Sequence, residues 1–248
     1  MLQTLERGLD ILQAFSEADP LRSAAELSTS TGLPISTVYR LLQTLEKRHF
    51  VEAAGNARYR LGPSMYLLAQ VVRQQMSGSL GPVALPIMQH LTTCTGETTV
   101  LTQIIGDKAV CIESVESPQA VRLSFQRGRV MPLWAGASAR VLLAYTDPQT
   151  AADVLAHIDN EWFASGEPVD PEALRHGLQI IRVQSYADSQ SEVDAGARAI
   201  AVPVFNQDGH LLAGLSVAGP LARIGDSHVP ALVELLRVAS AQMSAQIA

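Results

Sequence analysis

The chain has 248 residues, of which 47% are hydrophobic and 17% are charged, and its formal net charge is −6. This composition supports one or two globular domains with buried cores, and it excludes a disordered chain and a basic chain that coats nucleic acid along its whole length. The two cysteines, Cys94 and Cys111, are too few for a disulfide framework or a cysteine zinc site, and no apolar run approaches the roughly 20 residues of a bilayer span.

The first predicted element is a helix over residues 4–16. Apolar side chains recur there at spacings of three and four residues and form one stripe: Leu5, Leu9, Ile11, Leu12 and Phe15. The same region carries Glu6 and Asp10 and lacks the basic-then-apolar pattern of a signal peptide. We therefore expect a cytoplasmic protein without a membrane partner.

The next two predicted helices form a helix-turn-helix. Ser23 and Glu26 have the spacing of a capping box, in which each side chain accepts the other residue's backbone N–H. The second helix, over residues 36–47, has one apolar face and one face with hydroxyl, amide and guanidinium groups: Ser36, Thr37, Tyr39, Arg40 and Gln43. Such a face lies in the major groove, where Arg40 can bind guanine and Gln43 adenine.

Residues 50–61 alternate on both sides of Gly55-Asn56 and predict a β-hairpin, the wing. Arg58 and Arg60 share one face of it and can reach a minor groove or phosphates. Residues 27–62 contain five basic and two acidic side chains, a weak signal by itself. The alternative is a protein-interaction module with a solvated polar face, but the complete order of cap, turn, polar helix and wing favours DNA binding.

Residues 63–75 predict a helix whose apolar set is wider than one buried stripe, which indicates self-association. Residues 77–82 are rich in glycine and serine and predict a flexible joint. The expected organisation is a DNA-binding domain over 1–62, a linker helix and joint over 63–80, and a larger domain over 81–248.

The larger domain alternates strands and helices. Strands are expected at 97–105, 108–116, 121–126, 185–188, 198–205 and 211–218. Helices are expected at 86–93, 135–145, 171–183 and 225–247, with a short one after Asp147-Pro148. The fold class is therefore α+β, with a winged helix-turn-helix followed by a sheet flanked by helices.

Small residues open the helix predicted at 135–145, so its first backbone N–H groups are accessible. A helix start favours anions, and a carboxylate could dock on Gly136, Ala137 and Ser138. The alternative is that small residues there only permit tight packing of the helix on the sheet. The residues alone do not decide between the two.

The chain resembles the IclR family of bacterial regulators. The resemblance runs through LERGLDILQAF, AAELSTSTGLPISTVYRLLQTLEKRHFV, RYRLGP, MPLWAGASARVLLA and GARAIAVPVFNQDGHLLAGLSVAGP. It implies a GAF-like effector domain, double-stranded operator DNA as a partner, and a homodimer or dimer of dimers. It also implies DNA contacts at Arg7, Ser36, Thr37, Arg40 and Arg58. The full set of candidate DNA-binding residues adds Ser23, Tyr39, Gln43 and Arg60. His49 departs from the family's usual glycine, so a positive φ there would strain it mildly.

The resemblance further implies that an effector pocket surrounds the start of that helix. Its predicted lining is Leu123, Met131, Trp134, Gly136, Ala137, Ser138, Ser189, Ala197, Ala199, Ser216 and Ala218. Because several of these residues are less polar than in relatives that sense very small acids, we expect a larger or aromatic organic acid as the effector.

An enzyme is the competing class. No histidine has metal-ligand spacing with another histidine or a cysteine, and no nucleophile elbow, P-loop or dinucleotide glycine fingerprint occurs. We therefore expect no catalytic residue, no metal and no cofactor, and we expect Cys111 to be a small core residue. A structural or adaptor protein with an inactive winged helix is the remaining alternative.

Overall fold

The structure is a computed structural model that describes residues 3–16, 19–77 and 80–247, with the backbone alone for residues 73–77. The chain divides into two compact units, Met1–Gln75 and Met76–Ala248. Within these described ranges, no helix combines the length and apolar character that crossing a membrane requires.

The N-terminal unit contains the predicted helices and hairpin. Its elements are α1 (Gln3–Gln13), β1 (Arg22–Ser23), α2 (Ala24–Thr31), α3 (Ile35–Lys47), β2 (Val51–Ala53), β3 (Arg58–Leu61) and α4 (Pro63–Ser77). The short strand β1 was not predicted, and it makes β3 the central strand of an antiparallel sheet in the order β1-β3-β2. A small core joins the three helices to the wing: Ile11, Phe15, Ala24, Leu27, Val38, Leu42 and Val51.

Two local predictions in this unit are confirmed. Both capping-box hydrogen bonds of Ser23 and Glu26 are present at the start of α2. His49, between α3 and β2, has a φ of 58°, so the position where the family's usual residue is glycine does need left-handed backbone.

The apolar stripe of α1 is only partly buried within this unit. Ile11 and Phe15 are buried, but Leu5 and Leu9 are 60% and 48% exposed. Helix α4 likewise carries a set of apolar side chains that are all about half exposed or more: Tyr66, Leu67, Leu68, Val71 and Val72.

Part of the predicted joint is helical. Residues 78 and 79 lie outside the described residues, and α5 (Leu80–Thr95) begins directly after them, so it includes Pro82. Proline is compatible with the first turn of a helix, since its missing N–H has no intrahelical partner there. The helix predicted from residue 86 therefore starts earlier.

The C-terminal unit is built on one antiparallel sheet of six strands in the order β6-β5-β4-β9-β8-β7. Its strands are β4 (Thr98–Ile105), β5 (Lys108–Val115), β6 (Val130–Pro132), β7 (Ala187–Gln190), β8 (Ala197–Phe205) and β9 (Leu211–Pro220). Its further helices are α6 (Ala137–Tyr145), α7 (Pro148–Ala156), α8 (Pro171–Gln184) and α9 (Val229–Gln246). The α+β fold class is confirmed.

Helices cover both faces of this sheet. Neighbouring residues of β8 point to opposite cores: Ile200 packs with α5 and α9, and Ala201 packs with α6 and α8. This alternation is the two-residue period of a strand that is buried on both sides. The start of α6 is thereby held against the sheet.

The strand predicted at 121–126 is wrong, because residues 116–129 form an irregular loop between β5 and β6. Side chains satisfy part of its backbone: the Thr98 hydroxyl donates to the Leu123 carbonyl at 2.6 Å and accepts the Ser117 N–H at 3.0 Å. The sheet edge is formed by β6 instead, where Val130 pairs with Val110. Strand β7 also starts two residues later than predicted, since Ser185 ends α8 with a φ of 60°.

Candidate nucleic-acid interface and ligand cavity

The outer face of α3 presents polar side chains that are not used inside the protein. Ser36, Tyr39, Arg40 and Gln43 are exposed and Thr37 is half-buried, whereas Val38 and Leu42 on the inner face are buried. Among the described residues, none hydrogen-bonds or forms an ion pair with these five polar side chains. Their donors and acceptors are therefore available to an external partner.

The wing arginines differ from that face because each contacts a carboxylate. Arg58 Nη2 donates to Glu26 Oε1 at 3.2 Å, and Arg60 Nε donates to Glu52 Oε1 at 2.5 Å. The Ser23 hydroxyl is used by the capping box, where it accepts the Glu26 N–H at 3.2 Å. Arg7 lies on α1 and is partly exposed.

The C-terminal unit contains a small cavity of about 30 Å³, which is room for about one water molecule. Ten of the eleven predicted effector residues line it: Leu123, Met131, Gly136, Ala137, Ser138, Ser189, Ala197, Ala199, Ser216 and Ala218. They come from the 116–129 loop, β6, the start of α6 and strands β7, β8 and β9. The structure thus gathers residues that are almost 100 positions apart in the chain.

Trp134 does not line this cavity, which corrects its predicted place. Its ring contacts Phe163 edge-to-face, with 5.8 Å between the ring centroids. It borders a separate depression together with Lys108 and His157. Trp134 lies beyond the end of β6 at Pro132, and even a longer strand would direct residues 131 and 134 to opposite faces.

The start of α6 is already hydrogen-bonded within the protein. The Gly136 N–H donates to Glu192 Oε2 at 2.8 Å, and the Ala137 N–H donates to Ser189 Oγ at 3.0 Å. Arg140 Nη1 donates to the other Glu192 oxygen, Oε1, at 2.6 Å. Burial raises the pKa of Glu192, while Arg140 and the Gly136 N–H act to lower it.

Gly136 is required where it stands. Its φ is 86°, and a Cβ at this position would lie 2.9 Å from Val193 Cγ2. The residues after β7 thus pass directly over the start of α6, which is how Glu192 reaches it.

Two hydroxyls of the cavity also have partners of their own. Ser138 Oγ accepts from Thr102 Oγ1 at 3.1 Å, and Ser216 Oγ donates to the Val100 carbonyl at 3.4 Å. Seven further lining residues were not predicted: Val100, Phe125, Ser191, Glu192, Val193, Asp194 and Arg198. No sequence signal links Glu192 to Arg140, since 52 positions separate them.

An ion pair joins two of the loops that line the cavity. Arg129 Nη2 lies 2.9 Å from Asp194 Oδ1, and its guanidinium carbon lies 4.7 Å from the centre of the Phe125 ring. Phe125 and Asp194 both line the cavity, so Arg129 ties the 116–129 loop to the β7–β8 loop.

Arg198 is the most deeply buried charged group at the cavity. Its side chain is 4% exposed, and its Nε and Nη2 donate to the two Asp188 oxygens at 3.0 and 2.6 Å. Nη1 donates to Asp226 Oδ1 at 2.8 Å and to the Ile224 carbonyl at 3.1 Å. Arg198 therefore connects β7 and β8 to the segment that precedes α9.

The cysteines and histidines form no metal-ligand cluster in the part of the chain that the structure describes. Three or more metal-ligating side chains do not come together there. Burial raises the pKa of the Cys111 thiol to about 11, so the reactive thiolate is disfavoured, as expected of a core cysteine.

Comparison with known proteins matches both units. A family model for the IclR helix-turn-helix domain matches residues 4–55, and a model described as the C-terminal part of the bacterial transcriptional regulator IclR matches residues 76–245. The HTH-type transcriptional regulator KdgR of Escherichia coli is 32% identical over 238 residues, which cover 96% of this chain and 89% of KdgR.

Two solved structures extend the comparison. An IclR-type regulator from a Silicibacter species is 27% identical, with a TM-score of 0.84 and coverage of 98% of this chain and 95% of its own. An IclR homologue of Microbacterium hydrocarbonoxydans, complexed with 4-hydroxybenzoate, is 26% identical, with a TM-score of 0.76 and 98% coverage of both chains. These relatives are similar over essentially the whole chain.

Proposed function

The chain belongs to the IclR family of bacterial transcriptional regulators and is a DNA-binding regulator, and we propose that a small organic acid controls its operator binding from the cavity of the C-terminal unit. The observation that carries this proposal is the cavity itself, which collects ten of eleven residues expected around an effector. A few polar groups among apolar walls are typical of small-molecule sites.

Operator contact is assigned to the outer face of α3. Its hydroxyls, amide and guanidinium have no internal partner among the described residues, so they reach base edges without first breaking a bond. Arg40 and Gln43 are proposed to read bases, with Ser36, Thr37 and Tyr39 placed for phosphates or bases. Arg7 is proposed as a further phosphate contact from α1.

The ligand is proposed to be an aromatic acid. Leu123, Met131 and Ala199 provide apolar walls, and Ser189 and Ser216 provide hydroxyls for the polar end. The relative complexed with 4-hydroxybenzoate supports this chemistry, and admission of such a ring would require the loops that line the small cavity to move apart. The Gly136 N–H is already held by Glu192 and the Ala137 N–H by the Ser189 oxygen, so the ligand carboxylate is assigned to the Ser189 and Ser216 hydroxyl protons.

The protein is proposed to act as a homodimer or dimer of dimers. Five apolar side chains of α4 are about half exposed or more, and Leu5 and Leu9 of α1 add to the apolar surface of the N-terminal unit. Apolar surface of this extent favours self-association. Two-fold symmetry would match a pseudo-palindromic operator.

The test of the effector site is thermal unfolding with 4-hydroxybenzoate and a panel of related acids. A ligand at 100 times its Kd adds about 2.7 kcal/mol to stability. Ala199→Leu fills the cavity and should abolish the shift, whereas Ala120→Leu, on the exposed part of the 116–129 loop, should keep it. A shift that survives Ala199→Leu would contradict the assignment.

The test of the DNA-binding surface is a gel shift with the DNA upstream of the protein's own gene. Operator binding should persist in Ala199→Leu and become insensitive to the acid.

The test of the proposed assembly is light scattering, which should report a dimer or tetramer at micromolar concentration. A monomer that binds DNA one to one would contradict the proposed assembly.

A further inference from the structure

Arg58 links the wing to the segment that leads into α2. Its Nη2 donates to Glu26 Oε1 at 3.2 Å, and its Nη1 donates to the Leu21 carbonyl at 3.3 Å. Ser23 and Arg58 are also direct partners in the β1–β3 pairing. The Arg58 guanidinium thus joins β3 to a side chain in the first turn of α2 and to a backbone oxygen directly before β1.

The Glu26 carboxylate is held in place for this contact. Its other oxygen, Oε2, accepts the Ser23 N–H at 2.7 Å and the Ser23 hydroxyl at 2.9 Å. The hydrogen bond from the Ser23 backbone is the main cause that lowers the pKa of Glu26, and Arg58 lowers it further. At neutral pH Glu26 is therefore an anion, with Oε1 directed at Arg58.

This geometry changes the charge of the wing. Arg58 pairs with Glu26, and Arg60 pairs with Glu52 across β2 and β3. The two arginines and their two partners carry no net charge together. Glu26 lies directly before residues 27–62 and offsets one of their excess positive charges. A phosphate contact by Arg58 would either break its bond to Glu26 or bring that carboxylate close to the phosphate backbone, and both are electrostatically unfavourable.

We propose that Arg58 is a positioning residue that braces the wing against the start of α2, and that Glu26 limits DNA affinity by holding it there. This inference rests on the proposed DNA-binding role of the N-terminal unit. In this proposal the base of the wing has a positioning role, whereas the side chains on the exposed face of α3 contact the operator.

The decisive variant is Glu26→Gln, since glutamine also serves at this capping-box position and the start of α2 is retained. The measurement is the salt dependence of binding to a random-sequence duplex. Loss of the carboxylate should free Arg58 for a phosphate, so binding at low salt should be tighter than in Arg58→Ala, which also lacks the brace, and the slope of log K against log salt should steepen by about 0.9 relative to the wild type. Glu6→Gln on α1, which removes one charge elsewhere, should leave the slope unchanged.

Two changes at Arg58 separate bracing from direct contact. If Arg58 is a brace, Arg58→Ala weakens binding without changing the slope, and Arg58→Lys does not restore it because one ammonium cannot span both acceptors as the guanidinium does. If Arg58 already contacts a phosphate, Arg58→Ala flattens the slope by about 0.9 and Arg58→Lys recovers it.

The second pattern, or a Glu26→Gln slope equal to that of the wild type, overturns the inference. Failure of the proposed function looks different, because then the wild type itself shows no salt-dependent binding to any duplex. Circular dichroism on each variant checks that the helices of the unit are retained.

Discussion

The two candidate sites are built in opposite ways. The outer face of α3 offers polar side chains that bond to no other described residue, whereas the ligand cavity is lined by polar groups that the chain has already paired. Arg40 illustrates the first site, and Glu192, bonded to Arg140 and to the Gly136 N–H, illustrates the second.

The difference follows from burial. An exposed polar side chain needs no protein partner, because water satisfies its hydrogen bonds until DNA takes the place of the water. A buried polar group without a partner costs about 1–3 kcal/mol, so a closed cavity must supply partners of its own. Substitutions should therefore reduce binding at the first site and stability at the second.

The largest effect is expected at Arg198. Arg198→Ala leaves Asp188, which is only 29% exposed, without its bidentate partner, and an unsatisfied buried polar group costs about 1–3 kcal/mol, more when it is charged. Urea unfolding measures this loss. Arg175→Ala, which breaks an exposed pair with Glu172 on α8, should cost only a small fraction of it. Equal losses in the two variants would contradict the contrast between paired cavity and exposed surface.

Arg40→Ala should show the opposite behaviour. If Arg40 binds guanine bidentately, the change costs about 1–3 kcal/mol of operator affinity and relaxes preference at one base position. Its stability should match the wild type's, because no described residue bonds to the Arg40 side chain. Binding titrations against single-base operator variants measure the first effect. A stability loss without a change in base preference would contradict the assignment of Arg40 to an exposed DNA-binding face.

A smaller effect is expected from the titration of Glu192. Because burial raises the pKa of Glu192 above its ordinary value of 4.5, the folded protein binds this proton more tightly than the unfolded chain. The resulting stabilisation is complete below 4.5 and is lost as the pH rises through the folded-state pKa, with a slope of at most about 1.4 kcal/mol per pH unit.

Glu192→Gln removes this titration. The stability of the wild type minus that of Glu192→Gln should therefore fall as the pH is raised from 4 towards 7. Taking the difference cancels the other carboxyl groups of the chain. A difference that rises with pH would show that Arg140, rather than burial, dominates the pKa.

The smallest effect is expected at His49. Relief of the left-handed strain at φ 58° favours glycine by about 1 kcal/mol, and the greater freedom of glycine in the unfolded chain offsets about half of this. His49→Gly should thus stabilise the N-terminal unit by about 0.5 kcal/mol. Arg48→Gly, where φ is −99°, gains no such relief and should destabilise it. Thermal unfolding distinguishes the two signs.

Local sequence patterns correctly predicted the structural features that depend on residues close together in the chain. The capping box at Ser23, the polar face of α3 and the hairpin turns at Gly106 and Gly209 each depend on residues within one or two turns of chain. The resemblance to the family supplied what spacing could not, namely the gathering of residues from four strands and a helix start into one cavity.

The errors have the opposite origin, since each depends on a distant partner. The loop over residues 121–126 has strand-like composition, but hydroxyls such as that of Thr98 satisfy part of its backbone. Trp134 packs edge-to-face on the ring of Phe163, 29 positions away, and does not line the cavity. The contacts of Glu192 with Arg140 and of Glu26 with Arg58 cross 52 and 32 positions, and neither leaves a local signal.

The order of the six-stranded sheet bears on how the chain is made. Strand β4 lies between β5 and β9, and its Thr98 pairs with Ala218, so this edge of β4 stays unpaired until nearly the whole chain has left the ribosome. The N-terminal unit has its own core and is complete by residue 75. Translation that stops before β9 would therefore release the winged helix attached to an open, aggregation-prone sheet edge.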